Sequence, residues 1–76
     1  MSVKGYLLIQ TKMGMTKQVV DAIRRVAGVS SADAVTGSWD AIAIVTGESV
    51  KDIGELVVGR VRKIDGIDKT LTCFVV

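Results

Sequence analysis

The chain of 76 residues contains no histidine and only one cysteine. Without histidine it lacks the commonest general base and the commonest metal ligand, so enzymatic and metal-binding hypotheses lose their usual residues. Cys73 has no second thiol with which to form an intramolecular disulfide, a zinc site or a redox pair, which favours a reducing, cytoplasmic setting. We therefore predict no catalytic residue, no metal ligand and no cofactor.

Long apolar runs and a strong bias toward one charge are also missing. Every apolar run is interrupted by Gly, Lys, Asp or Thr and is much shorter than the segment of about 20 residues that spans a bilayer. The N-terminus lacks the pattern of a signal peptide. The net charge of +2 is spread too evenly for the basic stripe of a nucleic-acid-binding surface. The sequence thus predicts a soluble protein without a membrane partner.

What the chain does contain is enough apolar sequence for one core. Hydrophobic residues make up 49% and charged residues 24% of the chain, proportions that exclude intrinsic disorder. A domain of this size buries only about 60% of the surface that its unfolded chain exposes. We therefore predict a single domain, residues 1–76, whose burial is completed by association.

The spacing of apolar residues predicts six elements in the order βαββαβ. The helices are expected to begin at Thr16 and at Ser49, the latter with Asp52 as a capping box, and to end before Gly28 and Gly66. A two-residue type II′ turn at 37–38 is expected to join the middle strands. The four strands are predicted at 3–10, 29–36, 39–46 and 67–76.

An internal echo between 24–29 and 62–67, half a chain apart, indicates two βαβ halves. A duplicated unit of this size predicts an α+β, ferredoxin-like βαββαβ sandwich of the dimeric α+β barrel type. Its antiparallel sheet has the order 4-1-3-2, and both helices lie on one face. The second helix contains interior glycines, Gly54 and Gly59, for which close packing against a neighbour is the expected reason.

The sheet face opposite the helices is predicted to be apolar, although a half-solvated antiparallel sheet normally alternates between apolar and polar residues. Side chains of both central strands contribute to it, and a monomer would expose them to water. We predict that this face is the interface of a sheet-to-sheet homodimer. The predicted interface residues are Tyr6, Leu8, Ile42 and Ile44.

Polar residues are expected to gather at one end of the sheet, where the middle hairpin turns and the last strand begins. A glycine turn offers backbone N–H groups to an anion, and the carboxylate of Asp40 offers an acceptor to an ammonium group, a pairing that suits a zwitterion. Taken alone, ordinary turn and strand-end roles explain the same residues better than a ligand site does. The candidate ligand-binding residues are Thr36, Gly37, Ser38, Asp40, Thr70 and Thr72.

Four segments of the chain, in their order and spacing, resemble the RAM domain of Lrp/AsnC (feast/famine) transcription regulators. The most specific one is Thr36-Gly37-Ser38-Trp39-Asp40, which resembles a T-G-x-aromatic-D pattern; 6–9, 27–29 and 66–72 add to it. The resemblance implies pairing through the sheets, assembly of dimers into a higher oligomer such as an octamer, and binding of a free amino acid where dimers meet. It implies ligand contacts at Gly37, Asp40, Thr70 and Thr72.

The full-length regulators carry a helix-turn-helix before this domain, whereas here the first strand is predicted to begin at Val3. We therefore expect a stand-alone domain that does not bind DNA directly. Its expected role is that of a non-enzymatic amino-acid sensor that acts on transcription indirectly if at all, alone or by co-assembly with full-length regulators.

Two other functions are compatible with the predicted topology. A cofactor-free monooxygenase would need a polar pocket between sheet and helices, yet the side chains expected there are apolar: Leu7, Ile9, Ala41, Ala43 and Val45. Single-stranded RNA binding would need stacking aromatics on the central strands, where only Tyr6 is found. Trp39 is expected to pack on the helix-facing side, and Cys73 to be an inert, small hydrophobic residue.

Overall fold

The structure is a computed structural model that describes residues 2–76. The element order βαββαβ is confirmed, and a π-helical turn extends the second helix. The elements are β1 (Val3–Thr11), α1 (Thr16–Ile23), β2 (Val29–Ala34), β3 (Ala41–Gly47), α2 (Val50–Leu56), the π-helical turn (Val57–Val61) and β4 (Ile67–Phe74).

The four strands within residues 2–76 form one antiparallel sheet in the order β2-β3-β1-β4. This is the predicted order 4-1-3-2 seen from the other edge, so the ferredoxin-like fold is confirmed. In β1 and β3, Leu7 lies opposite Ala43, while Tyr6 lies opposite Ile44. Because directly opposed residues point to the same side, these pairs define a helix-facing side and an outer side of the sheet.

One hydrophobic core fills the space between the sheet and the two helices. The inward-facing residues of β1 and β3 are fully buried, as predicted, and no polar or charged side chain is buried within residues 2–76. Neither helix in this range has the length and apolar character needed to cross a membrane. The core residues are Leu7, Ile9, Val19, Val20, Ile23, Ala32, Ala41, Ala43, Val45, Ile53, Val57 and Val61.

Gly28 and Gly66 occupy equivalent positions in the two halves, between a helix and the strand that follows it. Both have a positive φ, +97° and +101°. A Cβ atom on Gly28 would meet Leu56 of α2 at 3.0 Å, and one on Gly66 would meet Met15 and Val19 at 2.9 Å. Each glycine therefore allows the helix of the other half to pack closely. This shared packing role explains why the segment recurs in the two halves.

The predicted helix starts have different outcomes. Ser49 is the N-cap of α2, and its hydroxyl accepts a hydrogen bond of 3.2 Å from the backbone N–H of Asp52. Helix α1 begins at Thr16, as predicted, but its N-cap residue is Met15, which makes no side-chain cap bond. The Thr16 hydroxyl is engaged elsewhere, in a hydrogen bond of 2.7 Å with the hydroxyl of Thr11.

The π-helical turn widens the end of the second helix. The N–H of Arg62 donates to the carbonyl of Val57, five residues earlier, at 2.8 Å. Ile53, Val57 and Val61 are all buried at a spacing of four residues, which a wider turn keeps on one side. A Cβ atom on Gly54 or Gly59 would meet no atom of residues 2–76 within 4 Å, so packing within the chain does not explain these glycines.

Candidate functional site

The loop between β2 and β3 forms one wall of the candidate site. The N–H of Val35 donates to the carbonyl of Asp40 at 2.9 Å, which leaves residues 36–39 as the loop, with Gly37 at φ +112°. The hairpin was predicted correctly, but the two-residue turn was not. The pairing of β2 with β3 ends before the predicted turn because the backbone N–H of Asp40 donates to the carbonyl of Ile9 in β1, at 2.9 Å.

Two side-chain hydrogen bonds attach this loop to the end of β1. The amide of Gln10 donates to the carbonyl of Ser38 at 3.1 Å. The carboxylate Oδ2 of Asp40 accepts from the backbone N–H of Thr11 at 2.8 Å. Gln10 was not among the predicted site residues, although its position two residues after Leu8 places it on the outer side of β1.

Trp39 extends the site toward β4. The ammonium group of Lys69 lies 5.9 Å from the centre of the Trp39 ring, a cation–π distance. Trp39 is half-buried and lies neither in the core between sheet and helices nor among the side chains packed against it, so its predicted packing on the helix-facing side was wrong. The alternation that placed it there begins only at Ala41. Lys69 was also missed, although it lies opposite Gln10 in the β1–β4 register.

The two predicted threonines of β4 lie on the other side of the sheet from Lys69. Thr70 is opposite Ile9 and Thr72 is opposite Leu7, both of them core residues, and the two threonines are half-buried. The structure therefore attaches the loop to β1 through Ser38 and Asp40 and brings Trp39 next to Lys69, with Thr36 and Gly37 in the same loop. Within one chain Thr70 and Thr72 face the opposite side of the sheet from Lys69.

This end of the sheet is exposed and carries charged side chains. Thr36, Gly37 and Ser38 are exposed, and Asp40 is half-buried. A carboxylate accepts hydrogen bonds at both oxygens, so Oδ1 of Asp40 retains acceptor capacity while Oδ2 binds Thr11. Residues 2–76 contain no group of three or more His, Cys, Asp or Glu side chains that is placed to hold a metal ion.

The outer side of the sheet carries a second surface, here called the outer-face patch, formed by Tyr6, Leu8, Ile42 and Ile44. Tyr6 is opposite Ile44 and Leu8 is opposite Ile42, so the four side chains adjoin across the central strands. Tyr6 is 38% exposed, and the other three are half-buried. On β4, Leu71 and the exposed Cys73 lie beside the patch. Cys73, expected to be an inert, small hydrophobic residue, is thus exposed within the chain.

Comparison with known proteins gives one family and one fold. Residues 4–76 match the family described as the Lrp/AsnC ligand binding domain. Over 60 residues the chain is 33% identical to the HTH-type transcriptional regulator PH1916 of Pyrococcus horikoshii, in an alignment that covers 78% of this chain and 40% of that protein. The chain thus spans less than half the length of this curated relative.

Two solved structures illustrate the similarity of the fold. The structure of FFRP-DM1 superposes with a TM-score of 0.90 at 26% identity and covers 97% of this chain and 99% of that one. The transcriptional regulator NMB0573 of Neisseria meningitidis, solved as a complex with L-Met, superposes with a TM-score of 0.86 at 14% identity. That alignment covers 97% of this chain and 49% of that one.

Proposed function

The chain belongs to the Lrp/AsnC ligand binding domain family, and from this premise we propose that it is a non-enzymatic effector module that binds a free amino acid. Its curated relative is a transcriptional regulator, and a neighbour of the same fold was solved with an amino acid bound. A regulatory effector module is thus the function class of the family. The amino-acid ligand is our proposal for this chain.

The proposal rests on one observation: the 36–40 loop is attached to β1 next to the ammonium group of Lys69. Asp40 supplies an acceptor for an ammonium group, while the loop amides and Lys69 favour a carboxylate. These are the two charged ends of an amino acid. We place the ligand contacts at Gly37, Asp40, Thr70 and Thr72, with Thr36 and Ser38 adjoining them.

The position of the threonines supports a site between subunits. Thr70 and Thr72 lie on the helix-facing side of β4, whereas Lys69 lies on the outer side next to the loop. One small ligand in contact with both groups is accommodated best when the loop comes from one chain and the threonines come from another. This agrees with the proposed location of the ligand where dimers meet.

The oligomer that this site requires begins with the outer-face patch. We propose that two chains pair through it and that the dimers assemble further, for example into an octamer. A ligand bound between dimers then stabilises the assembly by its differential affinity for the assembled state. The module would act on transcription indirectly in the cytoplasm, alone or by co-assembly with full-length regulators, without contacting DNA or a membrane.

The alternative of a cofactor-free monooxygenase is not favoured. Such an enzyme would need activating polar groups between sheet and helices, and residues 2–76 bury no polar or charged side chain there. The space is filled by the apolar core instead.

Binding and assembly test the proposal together. Isothermal titration of the chain with each of the common L-amino acids should give at least one saturable ligand, and sedimentation velocity should show a shift in assembly with that ligand. Asp40→Asn should abolish the heat of binding, and Asp33→Asn, at an exposed position on β2, should leave it unchanged. Absence of binding by every amino acid at millimolar concentration would overturn the proposal.

A further inference from the structure

The second helix presents a shallow, open groove on the side that faces away from the core. Lys51, Gly54, Glu55, Val58 and Gly59 line it, and we call it the α2 groove. Val58 is 63% exposed beside it, and Val50, at the start of the helix, is 53% exposed. Apolar side chains at this exposure mark an association surface when they adjoin an apolar groove.

The glycines of the groove have no function within the chain that explains them. Gly54 and Gly59 each destabilise a helix by about 1 kcal/mol relative to alanine. A Cβ atom on either would meet no atom of the described residues within 4 Å, and neither has a positive φ. Their effect is to leave a notch in the helix surface next to Val58, and the π-helical turn widens the helix at the same place.

The charges along this helix are opposite in its two halves. Residues 48–56 carry Glu48, Asp52 and Glu55 against Lys51, and residues 57–63 carry only the cations Arg60, Arg62 and Lys63. All of these side chains are exposed. A surface with one acidic and one basic half is complementary to itself when it is turned end to end, and the helix dipoles of such a pair are also antiparallel.

We propose that the α2 groove binds the same groove of a second copy of this chain, with the two helices antiparallel. A twofold axis on the groove side of the helix, level with residue 56, places Val58 of each copy over Gly54 of the other, because each of these residues is two positions along the helix from that level. The same operation places Asp52 opposite Arg60 of the other copy. A notch without a Cβ atom lets two helices approach at the short end of the usual axial separation.

A contact between two short helices is weak on its own, because stable protein–protein interfaces bury about 1,600 Å² of surface in total. It becomes effective between dimers that already present two grooves each. The inference rests on one part of the proposed function, the dimer formed through the outer-face patch. The α2 groove then joins such dimers.

Sedimentation velocity over a range from micromolar to submillimolar chain tests the contact. The wild-type chain should form species larger than a dimer. Gly54→Leu, which fills the notch, should stop at the dimer, while its thermal unfolding midpoint stays equal or rises because leucine favours the helix. Gln18→Leu, on the exposed side of α1, is the matched control and should assemble like the wild type.

Charge reversal tests the antiparallel arrangement itself. Asp52→Arg alone and Arg60→Asp alone should each weaken the step beyond the dimer by about tenfold, since each places like charges together. The two changes combined in one chain recreate opposite pairs and should restore the affinity to within about threefold. Circular dichroism of all three variants checks that the helix has formed.

The outcomes separate this inference from the proposed function. Higher species that Gly54→Leu leaves intact overturn the α2 contact and leave both the sheet dimer and the assembly of dimers standing. A wild-type chain that stops at the dimer, with or without an amino acid, overturns the α2 contact together with the ligand site between dimers. A failure of the double charge reversal to restore assembly overturns the antiparallel arrangement. A monomer at every concentration overturns both the α2 contact and the sheet dimer.

Discussion

The carboxylate Oδ2 of Asp40 accepts a hydrogen bond of 2.8 Å from the backbone N–H of Thr11. The β1–β3 ladder ends with Ile9 opposite Ala41, so the N–H of Thr11 lies beyond the last pair of strand partners. Asp40 supplies the acceptor that the strand no longer provides. It thereby stabilises the end of β1 whether or not a ligand is bound, and its two roles can be separated by substitution.

Asp40→Ala should lower the free energy of unfolding by about 1–3 kcal/mol, because the partly buried N–H of Thr11 loses a charged acceptor. Asp40→Asn keeps a side-chain oxygen and should cost less than about 1 kcal/mol. Urea denaturation measures both values. A loss for Asp40→Asn as large as that for Asp40→Ala would show that the charge, rather than the acceptor, holds Thr11.

The same asparagine variant should lose amino-acid affinity by more than about tenfold, since an amide does not neutralise an ammonium group. Titration calorimetry on protein shown to be folded measures this loss. Retention of wild-type affinity by Asp40→Asn would limit Asp40 to its structural role.

The outer-face patch should not tolerate a charge. Ile44→Lys would place two unpaired ammonium groups in a twofold sheet interface, and we expect the dimer to weaken by at least about a hundredfold. Ile44 is not a core residue, so each chain should still fold. Met13→Lys, at a fully exposed loop position, is the matched control. Sedimentation equilibrium decides the outcome, and an unchanged dimer would place the interface elsewhere.

The central part of the sheet was predictable because successive side chains of a regular strand point to opposite sides, even though both sides of this sheet are apolar. Leu7 and Ala43 point inward and Tyr6 and Ile44 point outward, as their positions in the alternating strands indicate. Burial on one side specifies the register, since a shift by one residue would expose every core side chain. The same logic correctly placed the outer-face patch.

The ends of the elements were not predictable to the same degree. Trp39 was assigned to a strand, although β3 begins at Ala41 and the backbone N–H of Asp40 bonds to β1. That bond depends on a residue some 30 positions away in the sequence, so no local pattern contains it. Lys69 was missed for a similar reason, because its proximity to Trp39 arises from the arrangement of β3 and β4 around β1.

The carboxyl of Asp21 should titrate below the usual pH of an aspartate side chain. Its pKa is lowered from the ordinary value mainly by the hydrogen bond from Lys17, at 2.9 Å, and by the charge of that ammonium group, with smaller contributions from Arg24 and Arg25. A carboxyl whose pKa is lower in the folded state contributes stability above its unfolded pKa, and loses it as the pH falls through the folded pKa.

Carbon-detected NMR titration of the Asp21 carboxyl measures the shift. Lys17→Gln should move the pKa back toward the ordinary value and reduce the acid sensitivity of folding. Lys51→Gln removes a lysine that pairs with Glu55 instead, and it should leave Asp21 unchanged. Equal effects of the two substitutions would show that general charge, rather than the Lys17 contact, lowers the pKa of Asp21.

Gly66 should be far less replaceable than Gly14, although both have a positive φ, +101° and +79°. A Cβ atom on Gly14 would meet no atom of the described chain within 4 Å, so Gly14→Ala tests backbone strain alone and should cost about 1–2 kcal/mol. A Cβ atom on Gly66 would lie 2.9 Å from Met15 and Val19, which adds about 1–3 kcal/mol of overpacking.

Gly54→Ala completes the series, because it has neither strain nor a neighbour and should stabilise the chain by up to about 1 kcal/mol. Urea denaturation at a fixed chain concentration ranks the three variants, with Gly66→Ala the least stable. Equal losses for Gly14→Ala and Gly66→Ala would mean that backbone strain alone accounts for both glycines. In that case, the close packing of Gly66 against α1 would contribute nothing measurable to the stability of the fold.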